Sequence, residues 1–274
     1  MSKQKTRSTV KYIVDIVTPV YGGAEFLQGL AESLDQYDAG VAYQWIIVDD
    51  ATPEDRGKAE LRPVLTALKE RPHTIVYECQ INGGFAKANN LGASKGRAEF
   101  ILMLNSDTRI THDNWLKIMV DDLSNPALGI VGAKLLFFPD STDPRRPAGT
   151  IQHAGVGFNI HGNPYHVCST WPADHPTVNQ RRVMRCVTGA CLLTRRRLWR
   201  RIGGLDEVYG AGNFEDVEYC VRSFIMGKGI LYEPDVTLYH YAGGSGNSQT
   251  ARRNHEIFQL RNRDYIVWDD WRYY

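Results

Sequence analysis

Three acidic stations along this chain could support metal-assisted chemistry on a phosphorylated substrate. Asp107 closes FILMLNSD (100–107), where an apolar run long enough for one buried strand ends in a short polar loop. Asp49-Asp50 ends a second such run, Trp45–Val48, and Glu215-Asp216 opens a segment with helical spacing. Ligands of an open α/β sheet bind beyond the carboxyl ends of its strands, so acids placed there stand at the mouth of a site. Mg2+ and Mn2+ are commonly held by one or two carboxylates together with substrate phosphates, and Asn105-Ser106-Asp107 suits that pattern. Its plain alternative is a capping Asp. Glu215 and Asp216 point about 100° apart on a helix and so divide their roles. One can face a substrate hydroxyl as general base while the other is held by the scaffold. The alternative for both is acid favoured at a helix N-terminus.

Other residues could complete such a site. The first strand ends Thr18-Pro19-Val20-Tyr21-Gly22-Gly23, without the GxGxxG of a dinucleotide fold. Pro19 stops the strand, and Tyr21 offers a flat face for a base. Asp49 and Asp50 can accept from a ring N–H or a ribose hydroxyl, or cap the helix beyond Pro53. Asn82-Gly83-Gly84-Phe85 leads into a helix, where glycine N–H groups can approach an anion. Lys87 and Asn90 lie on its first turns, Lys87 within reach of a phosphate. His240 ends the last strand and either adds a nitrogen ligand beside Asp107 or packs in the core. His153, His161, His166 and Cys168 form a loose cluster whose spacing fits no standard zinc site.

The elements that position these groups follow from periodicity. Near-continuous apolar strands at 12–18, 43–48, 74–78, 99–104 and 129–134 alternate with helical stretches near 24–36, 55–70, 85–95 and 112–123. That alternation predicts an α/β fold with a mainly parallel sheet covered on both faces. Residues 139–181 are rich in Pro, Gly and His and show no period, which suggests a functional loop. Structure resumes at 182–194 as strand, Gly-Ala kink and strand. A helix follows over 215–226, with Val217, Cys220, Val221 and Phe224 on one face. A short strand at 236–241 precedes the turn-rich GGSGNS, and the tail from Arg252 reads as helical.

The bulk numbers set limits. The 274 residues are 43% hydrophobic with a formal charge of +1, enough for a substantial core and with no call for nucleic acid. No window approaches the about 18–20 apolar residues of a membrane span. MSKQKTRST is basic and polar with no signal-peptide core after it, which makes a cytoplasmic location the expectation. The five cysteines are odd in number and include no CxxC, against a disulfide or zinc framework.

Taken together, VTPVYGG (17–23), IIVDDAT (46–52), NGGFAKANNLG (82–92), FILMLNSD (100–107), VTGACLLTRR (187–196), GGLDE (203–207), FEDVEYCVR (214–222) and LYHYAGGS (238–245) resemble the family 2 glycosyltransferases of the GT-A type, especially bacterial rhamnosyltransferase-like members. The resemblance covers roughly residues 12–245. It implies a Rossmann-like GT-A domain over 12–251, with a nucleotide-binding half (12–135) and an irregular acceptor-side half (136–251). A flexible N-terminus (1–11) and a helical tail (252–274) would flank it. It also implies inverting transfer from a UDP- or dTDP-sugar to a hydroxyl of a glycan or lipid-linked acceptor, with Mn2+ or Mg2+. Asp49 would read the base, with Thr18, Pro19, Tyr21 and Asp50 around it. Gly84, Lys87 and Asn90 would lie near the ribose or diphosphate. Asn105, Ser106 and Asp107 stand where the family has DxD, with Asp107 as the metal ligand and the first Asp replaced by Asn105. Asp216 would be the base beside Glu215, with Gly189 and Ala190 on the acceptor side. No QxxRW motif or membrane helix is present, so a single-addition enzyme is implied. The alternatives are an inactive sugar-nucleotide-binding module, or a nucleotidyltransferase, which would carry a Gly-rich Arg-Lys signature where this chain has TPVYGG. The tail could rest on the inner face of a membrane, although its acids and short length favour packing on the domain. The sequence leaves the oligomeric state open.

Overall fold

The computed structural model describes residues 11–241 and 248–269. The first half alternates β1 (Val14–Val20), α1 (Ala24–Gln36), β2 (Tyr43–Asp49), α2 (Lys58–Glu70), β3 (Thr74–Glu78), α3 (Phe85–Lys95), β4 (Phe100–Leu104), β5 (Thr108–Ile110), α4 (Trp115–Asp122) and β6 (Leu128–Leu136). There follow β7 (Ile151–His153), β8 (Val156–Phe158), β9 (Pro164–His166), β10 (Arg182–Met184), β11 (Cys191–Arg195), α5 (Arg196–Ile202), α6 (Glu215–Ile225), β12 (Gly229–His240) and α7 (Ser248–Asn262).

One curled sheet runs β10-β12-β6-β11-β4-β1-β2-β3, with β5 beside β12 and β7 beside β6. Its β3-β2-β1-β4 portion is parallel, as continuous apolar runs require of strands buried on both faces. The antiparallel β11 joins β4 to β6, and β12 lies parallel to β6. Alternation along β1 explains the two cores. Val14, Ile16 and Val20 pack with α1, α2 and Trp45 on one face. Val17 packs with Ile101, Met103, Tyr219, Cys220 and Phe258 on the other. The intervening Asp15 is fully buried and is held by Arg196 and the Ala98 N–H.

Several elements differ from the sequence pattern. β12 extends over Gly229–His240 rather than 236–241, because its first half pairs with β6 and β10 and its last residues pair with β5, a strand too short to announce itself. Residues 139–181 contain β7, β8 and β9, whose three-residue runs fall below any detectable period. Phe224 is exposed rather than on the buried face of α6. α7 starts at Ser248, so a boundary at 251/252 falls inside a helix, and one at 135/136 falls inside β6. The N-terminus through residue 10, most of the GGSGNS turn and the last residues from 270 lie outside the described residues.

Candidate active site

The chain end of β4 is tied to α6 through two backbone links. The Asn105 N–H donates to the Ala190 carbonyl at 3.0 Å, and the Gly189 N–H donates to Asp216 Oδ2 at 2.7 Å. A Cβ at Gly189 would lie 3.1 Å from Asp216 Cβ and 3.4 Å from Phe85, so a glycine lets the carboxylate approach that closely. The other oxygen, Asp216 Oδ1, accepts from the Val217 N–H at 2.8 Å, which orients the carboxylate at the start of α6. A cavity of about 280 Å3 opens here, lined by Asn105, Tyr165, His166, Thr188, Glu215 and Asp216 among others. Gly189 and Ala190 line it too, so the structure brings the expected acceptor-side pair to the same cleft as the acidic pair.

Glu215 is only 5% exposed, and its Oε2 has no hydrogen-bond partner. Burial, reinforced by the neighbouring Asp216, pushes its carboxyl up to about 8. The backbone just before it is strained, with Asn213 and Phe214 at φ 75° and 78°. Non-glycine residues in left-handed conformations persist only where their surroundings hold them, and they concentrate at functional sites.

Asp107 and His240 also meet. His240 lies opposite Thr108 in the β12–β5 register, which puts its Nε2 3.1 Å from Asp107 Oδ1 and 3.4 Å from Asn105 Nδ2. Gln152 fixes the imidazole. Its amide nitrogen donates to the His240 carbonyl at 3.3 Å, and its Oε1 lies 2.7 Å from Nδ1, so Nδ1 carries a proton. In the neutral ring the Nε2 lone pair then faces a carboxylate oxygen. Two acceptors at that separation repel unless a proton or a cation lies between them. The buried Asn105 Oδ1 has no hydrogen-bond partner. A carboxylate, an oriented imidazole and an unsatisfied amide oxygen are hard or borderline donors that fit Mn2+ or Mg2+. Among the described residues no group of three His, Cys, Asp or Glu side chains gathers as a self-sufficient metal cage.

Other expected donor contacts are engaged within the scaffold. Thr18 is fully buried, and its hydroxyl accepts from Trp45 Nε1 at 2.9 Å. Asp49 Oδ1 accepts from the Thr52 N–H and hydroxyl at 3.0 and 2.6 Å, and its Oδ2 pairs with Lys58. A base would have to compete with Thr52 and Lys58 for those oxygens. The Asp50 carboxylate accepts from the Gly83 and Gly84 N–H groups at 2.8 and 2.7 Å, so the anion seated at the α3 entrance is the protein's own. Gly84 is also packed tightly, since a Cβ there would fall 1.8 Å from the Gly210 carbonyl oxygen. Asn90 bonds to Leu205 N, Leu205 O and Glu207, so its amide is engaged in clamping the GGLDE turn. Tyr21 is 43% exposed under the Arg56 guanidinium, Lys87 is exposed, and Pro19 and Ser106 are half-buried.

The sequence singles out His166 only within the loose histidine cluster, and it does not mark Gln152 or Tyr165, whose places beside His240 and in the cavity lining are set by tertiary structure. In the loose histidine cluster, the His153 and His166 rings meet edge-on at 5.1 Å, each with Nδ1 on a backbone carbonyl, while His161 sits in an exposed turn. Burial lowers the pKa of His153 well below the usual histidine range, keeping it neutral.

A family model described as Glycosyl transferase family 2 matches residues 15–202. An uncharacterized protein, y4gI, of Sinorhizobium fredii is 30% identical over 92% of this chain and 27% of its own length. The O-antigen biosynthesis protein RfbC of Myxococcus xanthus is 27% identical over 85% of this chain and 17% of its own length, so the chain spans about a quarter or less of these relatives. Among solved structures, GalNAc-T7 with UDP, GalNAc and Mn2+ superposes with a TM-score of 0.71 at 14% identity, covering 93% of this chain and 50% of that one. The mannosyltransferase PcManGT of Pyrobaculum calidifontis, in complex with GDP-Man and Mn2+, gives 0.64 at 18% identity over 93% and 66%. These likenesses show that the fold is that of GT-A glycosyltransferases.

Proposed function

This chain belongs to glycosyl transferase family 2, and we propose that it transfers a sugar from a nucleotide-sugar donor to a hydroxyl of a glycan or lipid-linked acceptor, with inversion and with a divalent metal. The observation that carries the reading is the cleft itself. Asn105 at the end of β4 and the Glu215-Asp216 pair open onto one cavity, joined through Gly189 and Ala190, while Asp107 and His240 meet beside Asn105. The relatives give it context: two solved structures of this fold hold a nucleotide or nucleotide sugar with Mn2+, and one relative is named for O-antigen biosynthesis.

Asp107 and His240, with Asn105 beside them, are the residues that would hold the metal, which when bound neutralises charge on the departing nucleoside diphosphate. Donor contacts come from the accessible set, Pro19, Tyr21, Lys87, Asn105 and Ser106. Asp216 is the base. Its carboxylate is aimed by the Gly189 and Val217 N–H groups and takes the proton of the acceptor hydroxyl as that oxygen attacks the anomeric carbon. Glu215 keeps its proton near neutrality, because burial has moved its pKa to about 8. It therefore adds no second negative charge and can donate a hydrogen bond to an incoming hydroxyl oxygen. A single displacement needs no protein nucleophile.

The test is a panel of UDP-, dTDP- and GDP-sugars with Mn2+, assayed for thermal stabilisation and then for release of nucleoside diphosphate. A ligand at 100 times its Kd adds about 2.7 kcal/mol of stability. Stabilisation by one nucleotide class together with release of its diphosphate supports the reading. Stabilisation without turnover for every donor and acceptor points instead to a sugar-nucleotide-binding module.

A further inference from the structure

We propose that Asn254 on α7 is a positioning residue for the Glu215-Asp216 pair, and that α7 sets the separation of the two walls of the cleft. The inference rests on reading that cleft as the transfer site. Asn254 is fully buried. Its amide nitrogen donates to the Tyr209 and Gly212 carbonyls at 2.7 and 2.8 Å, with the Asn213 carbonyl at 3.4 Å. Both amide hydrogens are thereby committed to one loop, the loop that delivers Glu215. That loop carries the left-handed backbone of Gly210, Gly212, Asn213 and Phe214, and such a conformation must be held from outside. Arg253 adds a bond to the Val208 carbonyl at 3.0 Å.

The adjacent face of the helix grips the opposite wall. His255 Nε2 meets Asn163 Oδ1 at 2.5 Å, and the Gln259 amide donates to the Gly162 carbonyl at 2.7 Å. Both partners lie in the turn between β8 and β9, and β9 presents Tyr165 and His166 to the cavity. Phe258, fully buried, sits with its ring centroid 6.1 Å from that of Phe158 and 5.4 Å from that of Phe214, so one side chain touches both walls. Asn254 and Phe258 are four apart, as are His255 and Gln259, which puts each pair on one stripe of the helix. The loop cannot retreat toward α3, because Gly210 is already packed against Gly84. The separation between base and hairpin is therefore held at α7, beside a second tie in which Val156 bridges Cys186 and the Cys186 thiol meets the Val217 carbonyl.

The two grips give separable predictions. Asn254→Ala removes the donors from the catalytic loop, and Gln259→Ala loosens the hairpin. Hydrogen exchange on the full chain without ligand reads the walls directly. Asn254→Ala is expected to raise exchange at 210–214 by about tenfold and leave 158–164 near wild type, with Gln259→Ala doing the reverse. In steady-state assays with the nucleotide sugar turned over in the panel, Asn254→Ala should lower kcat by about tenfold or more at nearly unchanged donor KM. Gln259→Ala should keep kcat and raise the share of donor lost to water. Should Asn254→Ala fold poorly, Asn254→Ser keeps one donor and should fall between it and wild type in both readouts. Equal loosening of both walls, or wild-type kcat in folded Asn254→Ala, would overturn the proposal. Because exchange needs no substrate, it decides the wall assignment even if no nucleotide sugar is turned over.

Discussion

The two halves of the cleft are built by opposite strategies. On the nucleotide side, the polar side chains are satisfied by the scaffold itself: Asp49 holds Thr52 and Lys58, Asp50 holds Gly83 and Gly84, and Asn90 holds the 203–207 turn. On the acceptor side, contacts between distant segments assemble the cavity but leave Glu215 Oε2 and Asn105 Oδ1 buried without a hydrogen-bond partner. Gly189 meets Asp216, Gln152 meets His240, and Asn254 meets Gly212. A motif whose polar groups are all engaged by the scaffold thus reports first on the fold, even when it borders a site. Pairs brought together by tertiary structure, with buried and unsatisfied atoms between them, report on chemistry.

The largest effect that would break this contrast is at the base. Asp216→Asn should reduce transfer by about a thousandfold while nucleotide affinity stays near wild type, measured by turnover and calorimetry on the same preparation. Near-normal turnover would move the role to Glu215. Next comes the metal. Gln152→Ala should weaken Mn2+ affinity in the presence of nucleoside diphosphate by about 10–100-fold, because it frees the His240 ring. Calorimetric titration measures this, and unchanged affinity would return His240 to the packed core.

A smaller effect concerns Glu215. Its folded pKa, about 8, lies above the 4.5 of an unperturbed glutamate, so the folded state retains a proton that the unfolded chain releases. Its contribution to stability therefore declines as pH rises from near 4.5 to near 8, by up to a few kcal/mol. Urea unfolding across that range should show a slope in the wild type that is flattened in Glu215→Gln. The smallest concerns Asn90→Ala, which should lower Tm by several degrees through loss of its bonds to the 203–207 turn, with little change in donor KM. A large KM effect would return Asn90 to the donor site and weaken the contrast.

How far the sequence could be read follows the same division. β1 through β4 and their helices were visible because each is a local run with a clear period, and FEDVEYCVR placed Glu215 and Asp216 at a helix start. The sequence predicts a helical tail over 252–274, whereas α7 runs Ser248–Asn262, and nothing in RRNHEIFQL marks Asn254 as a buried donor. β7 to β9 escaped because three-residue strands take their shape from β6, from each other and from α7 rather than from their own residues. Gly84 was assigned to a phosphate from its place at a helix entrance, and only the fold shows that Asp50 and Gly210 already occupy its surroundings.

The Asp50 carboxylate on the Gly83 and Gly84 amides has a thermodynamic corollary. A free helix N-terminus would give a diphosphate a neutralising partner at any cation concentration. Here that partner is already taken, and the fixed charges nearest the cleft include Asp107 and Asp216 as well. A nucleotide arriving alone meets these carboxylates with Lys87 as a nearby cation, whereas a nucleotide arriving with its counterion brings its own neutralising charge. Affinity for the donor should then be a property of the ion pair rather than of the nucleotide. The level of free divalent cation, as much as that of the nucleotide, would then set how full the site runs.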